Sequence, residues 1–329
     1  MPKISIILPC YNGARWISQA IESVLAQTYE DFELVVVDDG SRDNSREIVS
    51  TYLHDERIRY IYQENKGFSG ALNRGIRESR GEFIGFIGQD DLYMPNKLQV
   101  QVQYFDEHKD ADLVHSGYCS IDSNGRIIGV YMPNKLQVQY FDRYKDAKLS
   151  KFSSRQKMIR YLFINNFIGF ETVLVRRNCF DEVGLFDERM TGFSDHDMWL
   201  RIAGKFNIGY IDLILVKKRE HKMQLSKMAF EECLQDEFLI ASKAIKEYPF
   251  LKKDIRKKLS NLYYRWGITM LEKGMNKEAK QKFFKVIRYT PWKFKAIMAY
   301  ITPTMYRFIW ERYRRSASKI RSGLKWIEG

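Results

Sequence analysis

The sequence predicts an α/β fold, a mostly parallel sheet covered by helices, followed by an α-helical C-terminal region. Three observations carry this. Four short apolar runs alternate with helix-period segments through the first ninety residues. A pair of adjacent aspartates closes two of those runs. The charge then shifts sharply: Lys252 to Gly329 hold 21 Lys/Arg against 5 Asp/Glu, a net of +16, whereas Met1 to Leu251 hold 33 against 36, a net of −3. With 329 residues, 45% hydrophobic and 29% charged, the chain has material for one large or two smaller domains. The expected division is 1–229 and 230–329.

The elements follow in order. "ISIILP" (Ile4 to Pro9) is continuously apolar, as a strand buried on both faces requires. Arg15 to Thr28 sets Ile17, Ile21, Val24 and Leu25 on one helical face. "FELVVV" (Phe32 to Val37) is a second strand, ending at Asp38, Asp39, Gly40 and Ser41. Asn44 to Leu53 reads as a polar helix, Ile58 to Gln63 as a third strand and Ser69 to Ser79 as a third helix. "FIGFIG" (Phe83 to Gly88) is a fourth strand, ending at Gln89, Asp90 and Asp91. In parallel sheets ligands bind beyond the C-terminal strand ends, where both acidic pairs stand.

Lys97 to Phe105, after Pro95, is an amphipathic helix. Its start belongs to a repeat: "YMPNKLQVQ" occupies 93–101 and again 131–139, and "YFDEHKDADL" is answered by "YFDRYKDAKL". The second copy has no acids before it. It also lacks counterparts of Val102 and Gln103, which turns its later face by about 200°. Two copies are too few for a solenoid, so this is a local duplication adding a helix or lid beside the site. Ala147 to Lys157 reads as a loop and Glu171 to Arg177 as a strand. Ser194 is the expected N-cap of a helix whose apolar face runs from Met198 to Ala203. Ile208 to His221 reads as a strand pair or edge strand, and the chain is helical from Phe230. There Gly267, Ala279, Phe283 and Pro291 have the spacing of one tetratricopeptide unit (about 260–293), which needs flanking helices to bury its faces.

Four carboxylates at one sheet edge would repel each other and any anionic ligand. A divalent cation, Mg²⁺ or Mn²⁺, resolves both conflicts by bridging carboxylates to a substrate diphosphate. The competing reading is two Asp-rich turns that cap the next helices.

Taken together these segments resemble the family 2 glycosyltransferases, inverting sugar-nucleotide-dependent enzymes with the GT-A fold. The resemblance covers roughly Lys3 to Ser226 through "SIILPCYNG", "AIESVLAQTYEDFELVVVDDGS", "NKGFSGALNRG", "GEFIGFIGQDDLYMPNKL", "VGLFDE" and "SDHDMWLRIA". It implies that Tyr11 stacks on the nucleobase with Pro9 in the same loop, and that Asp39 bonds the base with Asp38 beside it. Asn65, Gly67, Asn73 and Gly75 shape the nucleotide pocket. By the same resemblance Asp90 contacts ribose, Asp91 holds the metal, His221 adds a contact to metal or diphosphate, and Asp195 is the catalytic base. The chain departs from the family pattern at Gly88, where an Asp is common, at Leu72 for an Arg, and at Ser194 for an acid. In this reading Asp195 is kept ionised by the helix dipole, a base by position more than by a raised pKa. Asp197, two residues along a helix, points about 200° away.

The expected activity is metal-dependent sugar transfer from a nucleotide sugar, a UDP-sugar, to an acceptor hydroxyl. The alternative is a non-catalytic sugar-nucleotide-binding or scaffold protein, with Gly88 marking lost chemistry. No run of 18 apolar residues predicts a membrane span. The opening "MPKISIILPC" has no signal-like run, and the four cysteines are scattered. A cytoplasmic chain is expected. In the basic tail Tyr306, Phe308, Trp310, Tyr313 and Trp326 interleave with arginines and lysines, which suits the inner face of an anionic membrane and a glycan or lipid-linked acceptor. No nucleic-acid motif accompanies the charge, so nucleic acid is not an expected partner.

Overall fold

Strands β1 (Ile4–Cys10) and β2 (Phe32–Asp38) are buried at all seven positions each, because helices cover both faces of the sheet they build. On one face Ile4, Ile6, Leu8, Leu34 and Val36 meet Ile17, Ile21 and Val24 of α1 (Ile17–Leu25). On the other, Val35 and Val37 pack on Ala71 of α3 (Gly67–Glu78). Each fully buried aliphatic side chain in this core is worth ~1.5–3 kcal/mol relative to exposure. The computed structural model describes residues 1–132, 154–221, 224, 230–291 and 294–302. The second repeat copy from Pro133 onward and the tail from Pro303 lie outside them.

Parallel ladders join β1 to β2, β1 to β4 (Phe83–Phe86), and β2 to β3 (Ile58–Tyr62). The described sheet runs β3-β2-β1-β4-β8-β6-β9-β5. After β1 the chain goes outward through β2 and β3, then returns to β4 on the other side. The crevice between β1 and β4 is therefore a topological switch point, the place where such sheets take their ligands. Between β2 and β3 lies α2 (Ser45–Ser50), with α4 (Lys97–Glu107) after the two-residue β5 (Leu92–Tyr93).

The other half of the sheet departs from the simple alternation. β6 (Leu113–Ile121) pairs with β7 (Ile127–Tyr131) and β8 (Leu174–Arg176) antiparallel, but with β9 (Ile208–Arg219) parallel over nine residues. β4 and β8 are antiparallel, as are β5 and β9. Three expectations need correction. The polar segment expected as a loop over Ala147 to Lys157 is helical from Ser154, where α5 (Ser154–Ile164) begins. The strand expected over Glu171 to Arg177 shrinks to β8, because Phe170–Thr172 forms a single 3₁₀ turn. Ile208 to Arg219 is one continuous interior strand between β6 and β5, neither a pair nor an edge. The remaining helices here are α6 (Asn178–Val183) and α7 (Ser194–Lys205).

The chain divides into two compact units, Met1–Ala229 and Phe230–Gly329. In the second, α8 (Phe230–Glu247), α9 (Lys252–Glu272), α10 (Asn276–Tyr289) and α11 (Phe294–Ile301) follow one another. Phe238 meets Tyr263 at 4.6 Å between α8 and α9. Gly267 lets α9 and α10 close: a Cβ there would stand 2.7 Å from the ring of fully buried Phe283. Among the described residues no helix is long and apolar enough to cross a membrane.

Candidate active site

The C-terminal ends of β1, β2 and β4 carry the first half of the site. After β1, which contains the buried Pro9, Tyr11 is 47% exposed, so its ring faces solvent as a stacking platform must. Its backbone is clamped by Gln89 in both directions: Tyr11 N donates to Gln89 Oε1 at 2.9 Å, and Gln89 Nε2 donates to Tyr11 O at 3.1 Å. At the end of β2 the two aspartates differ. Both oxygens of Asp38 are committed to the protein, to Ser41 N at 2.8 Å and the Tyr60 hydroxyl at 2.6 Å. Asp39 takes Gln63 Nε2 at 2.7 Å and Lys66 N at 2.8 Å on Oδ1 alone. Gly40 follows at φ 80°, a left-handed turn that glycine adopts without strain.

Asn65 is exposed and its Oδ1 accepts from Gly67 N at 3.3 Å, which opens α3. Asn73 lies deeper. Its Nδ2 donates to Phe186 O at 2.9 Å and Glu188 Oε1 at 2.8 Å, and its Oδ1 accepts from Phe186 N at 2.9 Å. Both amide hydrogens hold the "VGLFDE" loop, so Asn73 bears on the pocket through that loop.

The acidic turn after β4 is locked by one arginine. Arg219 N donates to Asp91 Oδ1 at 2.7 Å, and Arg219 Nε donates to the Asp90 carbonyl at 2.9 Å. Its guanidinium also reaches the Asp122 and Ser123 carbonyls and Gln19. His221 Nε2 lies 2.7 Å from Asp90 Oδ2, and its ring packs on Trp16 with centroids 4.4 Å apart. Gly88 sits beneath both acids: a Cβ there would be 2.7 Å from Asp91 Oδ2 and 2.9 Å from Asp90 Oδ1. One oxygen of each carboxylate therefore borders a single small space, which any side chain at 88 would fill.

That space fits a divalent cation. Burial first, then the Glu171 and Asp90 carboxylates, push the Asp91 carboxyl well above the ordinary range. A cation opposes all three effects. Among the described residues no three His, Cys, Asp or Glu side chains gather as a ready cage. Mg²⁺ and Mn²⁺ commonly use one or two carboxylates and leave the remaining positions to water and substrate phosphate, which the two aspartates allow.

The second half of the site comes from later in the chain. Asp195 stands in the first turn of α7, half-buried, with Oδ1 accepting from His196 N at 2.7 Å and Oδ2 from Asn166 Nδ2 at 3.0 Å. Two expectations change. Ser194 is the first helical residue instead of the cap; the cap position is Phe193, without a side-chain bond, and it is Asp195 that accepts a backbone N–H there. Nor is Asp195 held at an ordinary carboxylate pKa: burial raises it to about 6, against the pull of His196 N–H, Lys218 and Asn166. Desolvation outweighs the helix terminus. Asp197 is paired with Arg201 Nε at 2.9 Å, and His196 Nε2 lies 2.7 Å from the Leu162 carbonyl, deep in the packing.

An ion pair that sequence reasoning missed bears on both the acidic turn and Asp195. Lys218 Nζ is 3.6 Å from Glu171 Oε2, with Glu171 almost wholly buried. Glu171, helped by Asp91, Tyr118 and Asp195, holds the Lys218 ammonium well above the ordinary lysine value. Arg219, Gln89 and Asn166 were missed as well. The signal available was faint: "KKR" at the end of a long strand and a charged "FET" inside an apolar stretch.

Comparison with known proteins agrees with this architecture. The profile described as Glycosyl transferase family 2 matches residues 5–183. An uncharacterized glycosyltransferase of Rickettsia felis is 34% identical over 236 residues, 70% of this chain and 37% of that protein. The uncharacterized glycosyltransferase RT0329 of Rickettsia typhi is 32% identical over 72% of this chain and 70% of its own length. The chain thus spans little more than a third of the first relative and over two thirds of the second. The crystal structure of S. aureus TarS 1-349 superposes with a TM-score of 0.64 at 20% identity, over 95% of this chain and 92% of that one. The mannosyltransferase PcManGT from Pyrobaculum calidifontis, in complex with GDP-Man and Mn²⁺, superposes at 0.57 and 17% identity, over 93% and 82%. These likenesses define the architecture as the GT-A fold, with a helical C-terminal region. Within that class, the chain belongs to glycosyl transferase family 2.

Proposed function

We propose that the protein is a metal-dependent inverting glycosyltransferase that moves a sugar from a UDP-sugar to an acceptor hydroxyl. One observation supports the reading: the Glu171–Lys218 ion pair, with Nζ and Oε2 3.6 Å apart, lies close enough to bear on the charge of both Asp91 and Asp195. That shared neighbour favours placing the acidic turn and the base in one site. Tyr11, Asp39 and Asn65 hold the nucleotide, with Pro9, Asp38, Gly67 and Asn73 shaping their surroundings. Asp90 meets the ribose. Asp91 and His221 hold Mn²⁺ or Mg²⁺, which when bound neutralises charge on the departing diphosphate. Asp195 takes the proton of the acceptor hydroxyl. The freed oxygen bonds to the anomeric carbon from the face opposite the diphosphate, whose bond breaks with its electron pair. A base of pKa about 6 is ionised at neutral pH yet still basic enough for that transfer.

A UDP-linked donor is favoured by the similar TarS fold, solved in complex with UDP-GlcNAc. Gly88 does not by itself mark lost chemistry, since the space a side chain would take is bordered by the two acids. The net +16 after Lys252 favours an enzyme working at the inner surface of an anionic membrane, on a lipid-linked or surface glycan. The test is direct. Purified protein is incubated with a panel of UDP-sugars, with and without Mn²⁺, while thermal stabilisation and UDP release are followed. Stabilisation and release that both require the metal support the reading. Stabilisation without release, for every donor and with glycan acceptors added, leaves a binding protein in place of the enzyme.

A further inference from the structure

Asn166 lies in the turn after α5. Its Nδ2 donates to Asp195 Oδ2 at 3.0 Å, while its Oδ1 is buried with no hydrogen-bond partner among the described residues. These two facts fix how the amide faces. Flipped, it would set one acceptor oxygen against another, so the carboxylate alone dictates its orientation. An unpaired buried acceptor is a cost to the fold, and such a group calls for a role other than stability. Asp195 is tethered at both oxygens, by His196 N from its own helix and by Asn166 from another element. Only the second tether depends on a side chain.

We propose that Asn166 is a positioning residue for the base: its amide sets the plane of the Asp195 carboxylate and favours its ionised form. This rests on the reading of Asp195 as the base. The other charged groups facing Asp195 are the Lys218 ammonium from β9, which also favours ionisation, and the Glu171 carboxylate from the 3₁₀ turn, which opposes it. On α7 itself the Asp197 carboxylate is tied to Arg201 and the His196 imidazole to the Leu162 carbonyl. No other side-chain hydrogen bond to Asp195 is found among the described residues.

The experiment titrates Asp195 directly. Protein labelled with ¹³C at aspartate carboxyls is followed by NMR against pH, and the Asp195 signal is the one lost in Asp195→Asn. In the wild type it should titrate near 6. Asn166→Leu keeps the volume, removes the donor and removes the orphan acceptor. It should raise the titration by on the order of one pH unit, and the acid limb of kcat/KM with it, without lowering Tm. Asn166→Ser, which can still donate through its hydroxyl, should move it less. A folded Asn166→Leu that titrates at the wild-type pH overturns the proposal. Should that variant fail to fold, Asn166→Ala, which also removes the donor, is titrated in its place, and an unmoved value there overturns the proposal. Wild-type turnover by Asp195→Asn overturns the base reading itself, and the proposal with it, whatever the NMR shows. An inactive Asp195→Asn beside an unmoved titration overturns the proposal alone.

Discussion

The two halves of the site are built in opposite ways. The proposed nucleotide-facing half hangs on neighbouring parallel strands, past whose C-terminal ends its residues stand: Tyr11 after β1, Asp39 after β2, Asp90 and Asp91 after β4. The base-facing half is gathered from a turn, a 3₁₀ turn, a helix terminus and the far end of a long strand, through Asn166, Glu171, Asp195 and Lys218. In the first half the backbone aims the groups, and the Asp90 and Asp91 carboxylates crowd one small space. In the second, side chains aim and charge one another. On the proposed function, binding rests on local architecture, and proton transfer on a long-range electrostatic arrangement that few substitutions would leave intact.

That contrast can be broken or sharpened in order of effect. The largest is Asp195→Asn, which keeps size and removes basicity. Transfer should fall by ~10² or more while donor affinity, read by calorimetry, is retained. Near wild-type turnover would dissolve the division of labour. Next, Asp91→Ala should weaken Mn²⁺-dependent donor binding by about tenfold or more, roughly 1.4 kcal/mol, and leave the Asp195 helix folded. Unchanged affinity and metal response would remove Asp91 as the ligand. Smaller and more diagnostic is the ion pair. Lys218→Met removes a cation that favours ionised Asp195, so the acid limb near pH 6 should move to higher pH and turnover at pH 6.5 should drop several-fold. Glu171→Gln removes an opposing carboxylate, so the limb should move to lower pH. Shifts of the same sign in pH–rate profiles would mean the pair only supports packing. Smallest per residue is the tail. A chain ending near Pro303 should lose salt-sensitive sedimentation with anionic vesicles, each engaged Lys or Arg being worth ~1 kcal/mol. Equal, salt-insensitive binding by both forms would leave the charge as solvated surface.

Legibility follows the same division. The first four strands and the helices between them could be read because apolar runs and 3.6-residue periods are local signals. The acids at strand ends could be read because parallel topology dictates what stands there. The base-facing half resisted for physical reasons. Leu113 to Ile121 becomes a strand between β8 and β9, two partners distant in sequence and not visible in its own pattern. Glu171 is charged within an apolar stretch, which reads as strand polarity until Lys218 is known to lie 3.6 Å away. The raised pKa of Asp195 comes from desolvation, a property of everything packed around it. Ser194 shows the limit of residue preference: serine favours caps, yet the neighbouring aspartate accepts the backbone N–H.

The lock on the acidic turn has a consequence for how the molecule comes into being. Arg219 N closes on Asp91 across 128 positions of chain. A nascent polypeptide that has produced β1 to β4 already owns its nucleotide-facing carboxylates, but it cannot hold them in place. The strand carrying Arg219 must leave the ribosome and insert between β6 and β5, an ordering step of high contact order and so a slow one. The acidic turn is therefore among the last parts of the unit to take its final form. Until then Asp91 lacks the Arg219 N–H that holds it, and the turn is fixed only together with the interior strand that carries that residue.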